Sequence, residues 1–161
     1  MKKIFMVAIA LIALSSCRKQ KALPPKEEAP VLVDQKTFSV TQPFNHTFAG
    51  LDPKATYYLQ VEGTYSFGGG HAFDASYGIA AQQYYRGEAY CRTKWQLNSN
   101  CDIKPVPFQY QPSHVYRYNL PANASLFTVS FHDCLIPPST SCAYGDNNGS
   151  LTFKVFKGTL K

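Results

Sequence analysis

Apolar and polar residues alternate with a period of two along much of the chain, which is typical of half-buried β-strands. Turn-forming residues rich in Gly, Pro, Asn and Asp separate the alternating stretches, and no segment of ten residues has a clear helical period. The segment 72–85 is the one ambiguous stretch. The strand-like segments are residues 38–40, 44–48, 56–67, 114–120, 126–131 and 151–156. This pattern predicts an all-β fold, a single antiparallel β-sandwich of the jelly-roll or galactose-binding type over residues 31–161.

The first residues have a different pattern, which is typical of an export signal. Lys2 and Lys3 precede an apolar run over residues 4–14, which is too short to span a bilayer as a helix. The run leads into Leu-Ser-Ser-Cys, which resembles the lipobox of bacterial lipoproteins. The resemblance implies cleavage after residue 16 and acylation of Cys17. The alternative is an ordinary signal peptide with an incidental cysteine.

Residues 17–30 carry charge and proline but little apolar periodicity, which predicts a flexible tether. Two acyl chains anchor a protein stably, whereas one anchors it marginally. We therefore expect a lipid-anchored protein of the bacterial cell envelope, at the outer membrane, on its periplasmic face or at the cell surface. The formal net charge of +6 lies mostly in the signal and the tether, so nucleic acid is not an expected partner.

Four cysteines follow Cys17, and an even number in an exported chain favours disulfides. Of the three possible pairings we prefer Cys91–Cys101 and Cys134–Cys142, because each closes a short loop between strand-like segments. A zinc site built from the four thiolates is the alternative, but no CxxC spacing supports it.

Oxygen-bearing residues gather near the end of the chain. Asp133 follows a strand, and Asp146 and Asn147 lie in a loop bounded by Gly145 and Gly149. Calcium takes six to eight oxygen ligands, and two carboxylates would balance its charge. The same residue types are also what any tight turn requires, so a plain turn is the alternative reading.

The segments 131–133, 143–156 and 63–68 together resemble the PA-IL-like bacterial galactophilic lectins. That resemblance implies a calcium ion that is also bound by two neighbouring hydroxyls of a sugar. Transferred position by position, the calcium ligands are the backbone oxygens of Phe67 and Ala143 and the side chains of Asp133, Asp146 and Asn147. The implied ligand is a glycan, with galactose-containing glycans as the class that the resemblance suggests, bound by Asp133, Asp146 and Asn147 together with the calcium.

This chain also departs from the lectin pattern. The cysteine-bounded segment 134–142 is an insertion that could reshape or cover the sugar pocket. The segment of the family that determines sugar specificity has no clear counterpart, and we name His71 and Asp74 as candidate sugar contacts in its place. Trp95, the single tryptophan, is expected to be a core residue rather than a platform for sugar stacking.

We expect no enzymatic activity. The chain has no GxSxG and no HExxH motif. His132 and Asp133 are adjacent on a strand and should point to opposite faces, so they cannot act as a pair. The main alternative to a lectin is an envelope lipoprotein that binds another protein as an accessory or inhibitor. The sequence does not indicate the oligomeric state.

Overall fold

A computed structural model describes residues 28–67, 71–84, 95–133 and 144–160 of the chain. The described residues form strands and connecting turns, with no helix, and therefore no helix that could cross a membrane. The prediction of an all-β antiparallel sandwich is confirmed. Its strands are β1 (Val31–Ser39), β2 (Phe44–Ala49), β3 (Tyr57–Glu62), β4 (Thr64–Phe67), β5 (His71–Asp74), β6 (Tyr77–Gly78), β7 (Gln83–Tyr84), β8 (Trp95–Leu97), β9 (Val115–Asn119), β10 (Leu126–Phe131) and β11 (Asn148–Lys157).

The strands form two antiparallel sheets. The larger sheet has eight strands in the order β7-β6-β5-β4-β11-β3-β9, with β1 pairing with β11. The smaller sheet has three strands in the order β2-β10-β8. The long strand β11 pairs with β1 along one edge and with β3 and then β4 along the other. β11 therefore joins three parts of the larger sheet, namely β1, the β3–β9 pair and the β4–β7 strands.

The core lies between the two sheets and is strongly aromatic. Trp95 is fully buried, and its ring centroid lies 5.3 Å from that of Phe153 in the opposite sheet and 5.1 Å from that of Tyr118. Its indole N–H donates a hydrogen bond of 2.9 Å to the Ala75 carbonyl, which satisfies the polar end of the ring. The expectation that Trp95 is a core residue is confirmed.

Several segments differ from the predicted elements. β1 covers Val31–Ser39 where only residues 38–40 were predicted, and β8 was not predicted. The predicted strand 56–67 is divided into β3 and β4 at Gly63, whose φ of +114° breaks the regular extended conformation. The ambiguous segment 72–85 contains three short strands, β5 to β7. This segment forms strands and not a helix because β5 pairs with β4. That pairing satisfies backbone hydrogen-bonding groups of β5 and joins β5 to the larger sheet.

Two glycines allow β11 to lie unusually close to the β3–β4 segment. A Cβ atom on Gly149 would lie 2.4 Å from the Thr64 carbonyl oxygen, and one on Gly63 would lie 2.4 Å from the Ser150 carbonyl oxygen. Gly149 also has a φ of +103°, which L side chains rarely adopt. Gly145 is different, since it has no neighbour within 4 Å of such a Cβ and no positive φ. The close approach places the start of β11 against β4.

We predict that Gly149→Ala destabilises the protein by about 3 kcal/mol, because a Cβ would both clash with the Thr64 backbone and strain the positive φ. Thermal unfolding followed by circular dichroism should show a melting temperature lower by roughly 10 °C. Gly145→Ala is the matched control and should change the free energy of unfolding by less than about 1 kcal/mol. Equal losses for the two variants would contradict the assignment of Gly149 as a packing constraint.

Candidate functional site

Three strand termini meet at one end of the sandwich. Asn148 pairs with Ser66 and Gly149 with Tyr65, so the residues just outside this pairing, Asn147 and Phe67, lie at the same end of the sheet. The loop before β11 contacts the end of β10. The backbone N–H of Asp133, just after β10, donates a hydrogen bond of 3.1 Å to the hydroxyl of Tyr144, which lies in that loop. The structure thus brings Phe67, Asp133 and Asn147 to a common end of the fold.

Aromatic packing supports this arrangement from within the core. The ring centroid of Phe131 lies 5.9 Å from that of Tyr65 and 6.4 Å from that of Tyr144. Phe131 is fully buried at the end of β10, two residues before Asp133. Its contacts therefore connect the end of β10 both to β4 and to the loop that carries Asp146 and Asn147. His132, between Phe131 and Asp133, is exposed, as the alternation of strand side chains predicts.

The loop before β11 is a tight turn. The Asn147 N–H donates a hydrogen bond of 3.2 Å to the Tyr144 carbonyl, which closes a four-residue turn with Gly145 and Asp146 at its tip. Asp146 is exposed, whereas Asn147 is only 7% exposed. The two predicted ligands from this loop therefore differ in environment, one carboxylate at the surface and one amide in the interior.

The side chain of Asn147 is held in a defined orientation. Its Nδ2 donates a hydrogen bond of 3.0 Å to the Val40 carbonyl, and because a carbonyl can only accept, the amide nitrogen must face Val40. The other end of the amide, Oδ1, is buried and has no hydrogen-bond partner among the residues that the structure describes. A buried acceptor left unsatisfied costs about 1–3 kcal/mol. A bound water or a bound cation would remove this penalty.

The donor set at this end suits a hard cation rather than a soft one. Asp133 is 7% exposed, and the carboxylate and amide oxygens of Asp133 and Asn147 are of the kind that calcium prefers. Within the described ranges there is no group of three or more His, Cys, Asp or Glu side chains that could hold a metal. Any ion here would therefore depend on amide and backbone oxygens as well as carboxylates. Ala143, a predicted backbone ligand, lies outside the described residues.

The predicted sugar contact His71 lies beside this end of the sandwich. It is exposed at the start of β5 and pairs directly with Phe67 across the β4–β5 ladder. A neighbouring depression of about 290 Å³ is lined by His71, by Phe73 and by the segment 78–81. Its lining is mostly apolar, and its polar group is the imidazole ring. This arrangement suits the C–H face and one hydroxyl of a small polar ligand.

Asp74, the other predicted sugar contact, lies in a different environment. It is fully buried, and its Oδ1 accepts hydrogen bonds of 2.8 Å and 2.7 Å from the backbone N–H groups of Ser76 and Tyr77. Its Oδ2 accepts a 2.8 Å hydrogen bond from the Tyr116 hydroxyl and lies 3.0 Å from His114 Nδ1. Burial leaves no oxygen of this carboxylate at the surface for a sugar, and we assign Asp74 a structural role instead.

The Asp74 cluster was not evident from the sequence, because its side-chain partners His114 and Tyr116 lie about forty residues away along the chain. Burial raises the pKa of Tyr116 far above its ordinary value, and the neighbouring Asp74 raises that pKa further. The Tyr116 hydroxyl therefore stays protonated at neutral pH and acts as a donor. The cluster fixes the turn between β5 and β6 against β9.

Most of the predicted covalent features lie outside the described residues. They include the signal 1–16, Cys17, nearly all of the tether, Cys91, Cys134 and Cys142. Cys101 is 5% exposed and is disulfide-bonded. Neither of the two preferred pairings is tested by this, and both remain predictions.

Comparisons of the chain with protein-family models, with curated proteins and with solved structures find no match. The site must therefore be interpreted from its own geometry.

We predict that Asp74→Ala lowers the free energy of unfolding by about 3 kcal/mol, because it leaves two backbone N–H groups buried without an acceptor and leaves the Tyr116 hydroxyl only a long hydrogen bond of 3.5 Å to the Gln111 carbonyl. Chemical denaturation in urea measures the loss. Asp34→Ala, at an exposed position of β1, is the control and should change the free energy of unfolding by less than about 0.5 kcal/mol. A stability of Asp74→Ala equal to that of the control would show that the buried cluster contributes nothing.

Proposed function

We propose that this protein is a membrane-anchored lipoprotein whose β-sandwich binds glycans through a calcium ion. The observation that carries the proposal is the buried, unpartnered Oδ1 of Asn147, at the end of the sandwich where Phe67 and Asp133 also lie. An acceptor in that position is unfavourable without a donor or a cation. Calcium would supply the positive charge, and the nearby side chains are oxygen donors of the kind it binds.

In this proposal the residues have distinct roles. Asp133 and Asp146 supply the negative charge, Asn147 supplies Oδ1, and the Phe67 and Ala143 carbonyls complete the set. Asp146, at the exposed tip of its turn, is the carboxylate that can reach both the ion and an incoming ligand. A sugar diol would add two further oxygens to the ion, which suits a cation that takes six to eight ligands.

The depression beside His71 would accept the rest of the sugar. Its apolar lining can pack against C–H groups, and the exposed imidazole can form a hydrogen bond to a hydroxyl. The chemical class that fits both parts of the site is a small polyol ring with two neighbouring hydroxyls. Galactose-containing glycans are one such class, and they are the class that the resemblance to PA-IL-like lectins suggests.

We predict that calcium raises the melting temperature of the protein. At a hundredfold excess over its dissociation constant, calcium should add about 2.7 kcal/mol to the free energy of unfolding. Differential scanning fluorimetry with calcium and with chelator measures this, with an expected rise of roughly 8–10 °C. Asp133→Asn and Asp146→Asn should each remove most of the rise, because each removes a negative charge from the ion. Asn148→Ala, at an exposed position of β11, is the matched control and should retain it.

A glycan array probed with calcium and with chelator tests the second half of the proposal. Calcium-dependent binding that both Asp variants lose would support the lectin. No calcium-dependent change in melting temperature would overturn the cation site itself. A clear calcium effect without any retained glycan would indicate a structural ion, and would favour an envelope lipoprotein that binds another protein as an accessory or inhibitor.

The membrane anchor has its own prediction. Cys17→Ser should abolish incorporation of labelled palmitate and move the protein from the membrane fraction to the soluble fraction. The physical reason is that the acyl chains supply the hydrophobic transfer free energy for membrane binding, about 0.8 kcal/mol for each buried methylene. Lys54→Ser, at an exposed turn residue, should leave labelling intact. Membrane association that persists in Cys17→Ser would refute the lipid anchor.

A further inference from the structure

The strand β1 forms one edge of the larger sheet. It pairs with β11 along its whole length, and no other described strand pairs with it. It is nine residues long, and eight of its residues are exposed, Phe38 being the exception. Long exposed edge strands present unpaired backbone groups and are templates for pairing with another chain.

The free edge of β1 can be assigned residue by residue. The N–H of Val40, just beyond β1, donates a hydrogen bond of 3.2 Å to the Gly149 carbonyl of β11. Because backbone groups in an antiparallel pair alternate in direction, the N–H and C=O groups of Thr37 and Gln35 point away from β11. No strand of the described part of the chain bonds to these groups, so they can pair with a further strand.

The charges along β1 select one way of pairing with a second copy. Asp34 and Lys36 lie on the same face of the strand, on either side of Gln35. A two-fold axis at Asp34 or at Lys36 would place like charges directly opposite each other. An axis at Gln35 places Asp34 of each copy opposite Lys36 of the other, so two favourable pairs form by symmetry.

Exposed apolar residues lie at the start of β1, and Val33 is the one that falls within this register. Val31, Leu32 and Val33 are 58%, 46% and 43% exposed, an unusual run of large apolar side chains at a surface. In the register centred on Gln35, Val33 lies opposite Thr37 of the second copy. A bulge between Leu32 and Asp34 ends the regular ladder there, which limits the continuous pairing to about five residues on each copy.

We propose that two copies of this chain associate through antiparallel pairing of β1 with β1 around a two-fold axis at Gln35. The interface is short, so the dimer is weak and exchanges readily. The proposal does not depend on calcium or on glycan binding, since the candidate site lies at the end of the sandwich and not along this edge.

Cysteine cross-linking of the full chain in its native membranes tests the proposal. In a hydrogen-bonded antiparallel pair the two Cα atoms lie about 5.5 Å apart, within the range that a disulfide spans. Gln35→Cys should therefore give a covalent dimer under mild oxidation, seen on a non-reducing gel at twice the monomer mass. Lys54→Cys, at an exposed turn residue away from β1, is the control and should give none beyond background.

Charge exchange identifies the register. In the Gln35→Cys background, Asp34→Lys or Lys36→Asp alone places like charges opposite each other and should reduce the cross-linked fraction roughly tenfold at low ionic strength. The combined exchange Asp34→Lys with Lys36→Asp should restore it. Thermal melting of each variant establishes that it is folded.

Three results would overturn the proposal. The first is a cross-linked yield for Gln35→Cys no higher than that for Lys54→Cys, which would mean that Lys36 and the bulge keep the edge of β1 unpaired. The second is a cross-linked yield indifferent to the charge changes. The third is a product whose mass fits a different partner protein on β1.

Discussion

Hydrogen bonding of β11 along both edges holds the larger sheet together. β1 occupies one edge, and β3 and β4 occupy successive parts of the other. The same strand contributes Leu151, Phe153 and Val155, all fully buried, to the core between the sheets. Its change of partner from β3 to β4 requires a close approach of two backbones, which glycines at positions 63 and 149 permit. A change at this crossing therefore affects the sheet, the core and the candidate site at the same time.

The candidate site is a direct consequence of that crossing. Because β11 pairs with β4 at its first residues, the turn before it lies beside the end of β4, and Tyr144 connects that turn to the end of β10. The turn then places Asn147 in the interior with only one end of its amide satisfied. Stable folds rarely retain an unsatisfied buried acceptor. In our proposal, calcium supplies the partner that this acceptor lacks among the described residues.

Asp74 is a buried polar side chain of the same protein whose hydrogen-bonding capacity is satisfied. Each oxygen of its carboxylate has two neighbouring hydrogen-bonding groups, from Ser76, Tyr77, Tyr116 and His114. Such a group needs no ligand and contributes to stability. Asn147 differs because its Nδ2 donates to the Val40 carbonyl, whereas its Oδ1 has no hydrogen-bond partner among the described residues. This contrast separates a structural polar cluster from a candidate binding site.

The sequence alone determined the all-β class, most strand positions and Trp95 as a core residue, because period-two alternation and burial preference are local properties of the chain. It also singled out Asp133, Asp146 and Asn147, since their residue types and turn context carry the chemistry. Only the tertiary structure decided which polar side chains are satisfied. The burial of Asp74 and the open acceptor of Asn147 both depend on residues far away in the sequence, and no local pattern encodes such contacts.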